Sequence, residues 1–187
     1  MSASCRVVLS GCSGGGKSTM IAELARRGHA TFAEPGRRLV EGGLADPLAD
    51  PEGFAVAAIG LALADHAAAP PGLSFFDRAV LDGLNWFAQT ATPLPAALRG
   101  LADSHRYFRR VYMTPPWPAI FVQDAARRHE LSAGQAEYVA LCLHLPAMGY
   151  DPVDLPLLPV ARRVDWLLAD LAGLSGDAGS ALGPSPA

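Results

Sequence analysis

The stretch Cys5-Arg-Val-Val-Leu-Ser-Gly11-Cys-Ser-Gly-Gly-Gly-Lys17-Ser18-Thr19 decides the fold. It opens with a short β-branched apolar run that reads as a strand and ends on glycine. From Lys17 to Arg27, Met20, Ile21, Leu24 and Ala25 recur at helical spacing. The loop between strand and helix, Gly11 to Ser18, matches G-x-x-x-x-G-K-[ST] in full.

This order gives the loop its chemistry. Gly11, Gly14, Gly15 and Gly16 lack a Cβ, so the backbone can take positive φ and turn successive N–H groups toward phosphate oxygens. The helix start at Lys17 adds its partial positive charge. A P-loop is expected, with Cys12 and Ser13 in the cradle and Lys17 on the β- and γ-phosphates. Ser18 is expected in the shell of a Mg2+ ion and Thr19 toward the α-phosphate. Of the 15 basic residues all but Lys17 are arginine. A compact ammonium reaches into such a cradle where a planar guanidinium fits differently.

The chain has 187 residues, half of them hydrophobic, which suits one domain with a sizeable core. That domain is expected over residues 1–175. The tail 176–187 lacks periodicity and large apolar residues and is expected to be disordered. A net charge of −3 argues against a nucleic-acid partner. The most apolar run, 54–64, is too short to span a membrane. Three cysteines without a C-x-x-C pair and five scattered histidines weigh against a metal cluster or hydrolase triad, and fit a reduced, cytoplasmic protein.

Downstream, strands are expected at 29–33, 73–77, 107–113 and, weakly, 150–155. Helices are expected near 52–68, 81–91, 95–104, 117–130, 132–146 and 159–173. Strands alternating with helical connections imply parallel βαβ units, hence a three-layer α/β sandwich that binds ligands at the carboxyl ends of its strands.

Several carboxylates and arginines fall at that sheet edge. Asp77 ends an apolar strand as a Walker B aspartate does, and would hold Mg2+ through water; a helix N-cap is the plainer reading. Arg78 and Asp82 extend it to D-R-x-x-x-D, with Arg78 placed to orient an acceptor or a phosphate. In Glu34-Pro-Gly-Arg37-Arg38, Glu34 is a candidate acceptor-side base and the arginines candidate bidentate donors, although a helix-start glutamate with solvated arginines fits equally. Arg127 and Arg128 fall late in a helix, where a lid around 115–147 would bring a guanidinium onto the transferring phosphate. Trp117, among Pro115, Pro116 and Pro118, is a candidate wall of a base or acceptor pocket.

In this order the motifs GCSGGGKST, FAEPGRR, FFDRAVLDGLNWF, MTPPW, QDAARRHE and GYDPVDLPLLPVARRVDWLL resemble the small AAA-type P-loop ATPase and kinase-like proteins that group with nicotinamide riboside kinases and nucleoside or nucleotide kinases. The resemblance spans roughly residues 5–173. It implies a parallel sheet of order 2-3-1-4-5, with Asp77 near magnesium and Glu34 further toward an acceptor.

The expected activity is ATP- and Mg-dependent phosphoryl transfer to a small nucleoside-like acceptor. The alternative is a P-loop ATPase or nucleotide-dependent switch acting on a partner protein. A GTPase with an Asn-Lys-x-Asp base reader is excluded, because Lys17 is the only lysine.

Overall fold

The computed structural model describes residues 5–118 and 131–180. Five strands form one parallel sheet: β1 (Cys5–Gly11), β2 (Ala30–Phe32), β3 (Leu73–Asp77), β4 (Arg110–Thr114) and β5 (Asp151–Asp154), in the order β2-β3-β1-β4-β5. The helices are α1 (Lys17–Arg26), α2 (Pro35–Glu41), α3 (Pro51–Ala68), α4 (Val80–Gln89), the single turn α5 (Leu101–Ser104), α6 (Leu131–His144) and α7 (Val160–Ser180).

Side chains alternate across each strand, so every central strand feeds two cores. Val7 and Leu9 of β1, Phe75 of β3 and Tyr112 of β4 pack under α1 and α7 with Met20, Leu24, Val164 and Leu167. Val8, Phe76, Val111 and Met113 point the other way, against Ile59 of α3, Leu81 of α4 and Leu141 of α6. The expected three layers follow from this pattern. Near-continuous apolar runs in β1 and β3 reflect burial on both faces.

The register fixes what meets at the ligand edge. Leu9 lies beside Asp77, Gly11 beside Thr114, and Phe32 beside Phe76. The P-loop, Asp77, Thr114 and the segment entering α2 thus leave the sheet on the same side.

Pro35-Gly36 opens α2, with Pro35 in the first turn and Glu34 as N-cap, the helix-start reading of Glu34. A proline there gives up an N–H that has no intrahelical partner anyway. Local departures from the sequence reading have clear causes. The helix expected over 95–104 divides into a 3-10 turn, Ala96–Leu98, and α5, separated by Gly100 at φ 75°. The strand expected over 107–113 begins only at Arg110. α7 continues to Ser180, beyond its expected end. The expected helix 117–130 falls mostly outside the described residues, as do Arg127, Arg128 and residues 181–187. Among the described residues no helix is long and apolar enough to cross a membrane.

Candidate functional site

The P-loop is built around two close approaches. Gly11 has φ 106°, and a Cβ on it would stand 2.6 Å from the Thr114 carbonyl oxygen. A Cβ on Gly15 would stand 2.6 Å from both Cβ and Oγ1 of Thr114. Only glycine lets the loop lie this close to β4. Gly14 and Gly16 also take positive φ, and Gly16 caps α1. Cys12 is buried, Ser13 half-buried and Thr19 exposed at the start of α1.

Lys17 is buried and donates from Nζ to the carbonyls of Cys12 at 3.0 Å and Gly11 at 3.3 Å, so the ammonium lies back across the loop. Burial, helped by the Arg78 charge, lowers its pKa. Ser18 Oγ donates to Asp77 Oδ2 at 2.7 Å, while Asp77 Oδ1 is buried with no partner. Burial also raises the Asp77 carboxyl above its ordinary range, against the pull of Lys17. A hydroxyl and an orphaned carboxylate oxygen beside a phosphate loop form the oxygen donor set that Mg2+ takes, so the residues present fit that ion.

A second cluster lies next to it. Arg78, at the turn from β3 to α4, holds φ 65°, a left-handed value that a residue with a Cβ rarely adopts. Its N–H donates to Leu9 O at 2.9 Å. Its guanidinium donates to Glu34 Oε1 (3.0 Å), Asp82 Oδ1 (3.1 Å), and both oxygens of Glu137 (2.6 and 3.0 Å). Burial opposes the charge, yet the three carboxylates hold the Arg78 pKa well above its usual value. Burial pushes Glu34 up, but Arg78, Lys17 and Arg37 outweigh it and leave that carboxyl below its ordinary range. Asp82 is raised by burial; it accepts from Ser10 Oγ and from the Ala79 N–H at 2.8 Å, tying the start of α4 to β1.

These carboxylates line a cavity of about 400 Å³. It reaches Ser13 of the P-loop at one end and is walled by Phe54 of α3 and Trp86 of α4. Arg37 lines it with a buried Nε that has no hydrogen-bond partner and lies 3.8 Å from Glu34 Oε2. Asn85, also in the lining, accepts through Oδ1 from His144 Nδ1 at 2.8 Å, which leaves its amide N–H groups as donors.

The structure therefore gathers Glu34, Arg37, Arg78 and Asp82 around one cavity, with Lys17, Ser18 and Asp77 beside it. Two candidates go elsewhere. Arg38 is not in the cavity lining; it pairs with Asp65 of α3 at 2.6 Å, because consecutive residues of a helix point in different directions. Trp117 is not in the lining either. Its ring lies 5.6 Å from the Arg163 guanidinium, which donates to the Gly15 carbonyl at 2.9 Å.

Glu137, Arg163, Trp86 and Phe54 were not singled out from sequence. Nothing at 137 marks a partner for residue 78 on another helix. Arg163 looks like one of many surface arginines, yet it is 3% exposed, with Nε and Nη2 unpartnered.

The AAA domain family profile matches residues 6–163. The chain belongs to the AAA domain family. No curated protein sequence matches it. Among solved structures, this AAA domain is similar to deoxyadenosine kinase from M. mycoides with bound dATP, at 13% identity and a TM-score of 0.65, covering 90% of this chain and 99% of that one. It is also similar to thymidylate kinase from Candida albicans (10% identity, TM-score 0.62, 92% and 93% covered). A third similar structure is shikimate kinase from Acinetobacter baumannii in complex with shikimate (12% identity, TM-score 0.55, 91% and 94% covered). At such identities the likeness establishes the fold, that of the P-loop kinases.

Proposed function

We propose that this AAA domain is an ATP- and Mg-dependent phosphotransferase acting on a hydroxyl of a small nucleoside-like acceptor. The observation that carries this reading is the division of the site. A phosphate loop with a Ser18–Asp77 oxygen pair lies on one side, and a ligand-sized cavity with its own carboxylate, Glu34, opens onto Ser13 of the same loop. The similar kinases act as precedents for the fold. A nucleotide switch would need no such second cavity.

In the reaction the acceptor hydroxyl oxygen forms a bond to the γ-phosphorus as the bond to the β–γ bridging oxygen breaks. ADP leaves, and the hydroxyl proton passes to Glu34 or to water. Phosphoryl transfer asks the protein mainly for positioning and charge stabilisation. Lys17 moves from the loop carbonyls onto the phosphates, and the P-loop N–H groups hold them. Bound Mg2+ would neutralise phosphate charge, held by Ser18 and, through water, by Asp77. Glu34 is a weak base, its carboxyl held low by cations, and serves chiefly to orient the hydroxyl. Arg127 and Arg128 remain candidates to stabilise the transferring phosphate.

The test is a screen of nucleosides and related alcohols with purified protein, Mg2+ and ATP, following ADP release. A true acceptor raises turnover, and the phosphorylated product is seen by mass. Lys17→Ala should abolish magnesium-nucleotide binding, whereas Glu34→Gln should spare nucleotide binding and slow transfer. ADP release that no acceptor raises, or equal loss of nucleotide affinity in both variants, would reject the reading in favour of an ATPase.

A further inference from the structure

The charge of the cavity restricts what can enter it. Among the described lining residues are three carboxylates, Glu34, Asp82 and Glu137, and two guanidinium groups, Arg37 and Arg78. Arg78 is already spent: its four hydrogen bonds all go to those carboxylates, leaving one of a guanidinium's five donors over. Arg37 is ion-paired with Glu34 at 3.8 Å, and its buried Nε makes no hydrogen bond. The remaining walls are apolar or neutral: Phe54, Trp86, Val40 and the Asn85 amide.

We propose that the acceptor is an uncharged nucleoside-type alcohol, and that the Glu137–Arg78 pair selects against its phosphate esters. This rests on reading the cavity as the acceptor site. A phosphate monoester brings close to two negative charges. It would meet three carboxylates, and the two guanidinium groups of the described lining are already paired with them, Arg78 with all three and Arg37 with Glu34. Each carboxylate within several ångströms of a dianion in a partly buried site weakens binding on the order of tenfold or more. A neutral ring packed against Phe54 or Trp86 meets no such penalty. Its polar edge finds the donors of Arg37 and Asn85, and its hydroxyl finds Glu34. Glu137 is thus a specificity-determining residue that acts through Arg78.

The experiment uses four common nucleosides and their 5′-monophosphates as matched pairs. Binding to the full chain is measured by calorimetry with Mg2+ and a non-hydrolysable ATP analogue, and transfer is measured separately with ATP by phosphorus NMR. At least one nucleoside should bind ~10-fold or more tightly than its monophosphate. Glu137→Gln keeps a hydrogen-bonding side chain but removes a charge, and should narrow that ratio by improving the monophosphate. Monophosphates that bind more tightly, or that are the species phosphorylated, would overturn the proposal while leaving the kinase reading intact. Nucleosides that bind with the expected preference but accept no phosphate would support the selection by Glu137 and Arg78 while removing the kinase reading. Failure of both members of every pair to bind would overturn it as well.

Discussion

Replacing Arg78 with methionine keeps much of the side-chain volume and removes the charge on which three carboxylates converge. Side-chain exposure is 12% for Arg78, 24% for Glu34, 8% for Asp82 and 30% for Glu137. Breaking a buried ion pair from one side costs about 3–5 kcal/mol, because the partner charge stays behind. Glu34 and Glu137 reach solvent and can shed part of the penalty, so the lower end, about 3 kcal/mol, is expected. The left-handed backbone adds nothing to the difference, since methionine at φ 65° is as strained as arginine. For a chain of this length that loss lowers Tm by about 6–12 °C, and urea unfolding should show a lower midpoint with unchanged slope.

The pH response separates this cause from simple loss of packing. In the native protein Arg78 helps to hold the folded Glu34 pKa low, so the stability Glu34 contributes is present at neutral pH and lost as pH falls through that value. Without the guanidinium, burial raises Asp82 further and pulls Glu34 up against Lys17 and Arg37. The folded form then binds the extra protons, and the variant gains stability as pH falls from 8 toward 5. Adding Glu137→Gln to Arg78→Met should recover part of the loss at pH 8, because it removes one stranded charge. A loss below about 1 kcal/mol, with stability flat between pH 8 and 5, would show that the cluster does not depend on Arg78 and would refute the reasoning.

Other perturbations give equally definite results. Gly15→Ala drives a methyl into Thr114, which is fully buried with Oγ1 donating to Ser10 O at 3.1 Å; calorimetric titration should show nucleotide affinity at least ~10-fold weaker, with folding destabilised by about 1–3 kcal/mol. Ser18→Ala and Asp77→Asn should each raise the Mg2+ concentration needed for half-maximal nucleotide binding by roughly 10-fold or more, and an unmoved midpoint in a Mg2+ titration would count against the metal assignment. Arg163→Met removes a guanidinium whose pKa burial lowers and whose Nε and Nη2 have no partner. The nucleotide-free protein should therefore keep its Tm or gain slightly, and a fall of several degrees would mean that the bond to Gly15 outweighs the desolvation.

The sequence was most readable where chemistry is local. The P-loop needs glycines, one lysine and one hydroxyl in a fixed order between a strand and a helix, and all of these lie within the stretch from Gly11 to Ser18. The strand-helix rhythm gave the parallel sheet and its three layers. The helix-start reading of Glu34 held, because proline fits the first turn of a helix. The helix assigned over 95–104 failed at Gly100, whose left-handed φ interrupts it.

The chain by itself determined a phosphate loop, its sheet and the carboxylates at the sheet edge, because those depend on neighbours in sequence and on side-chain period. Which charges face one another was settled only by tertiary structure. Arg38 and Arg37 are adjacent in sequence, but one pairs with Asp65 on α3 and the other lines the cavity. Arg78 reads as free to bind substrate until α6 brings Glu137 against it from far along the chain. Hydrogen bonds and ion pairs act over a few ångströms, and the distance between residues on separate helices is a property of packing that no spacing along the chain records.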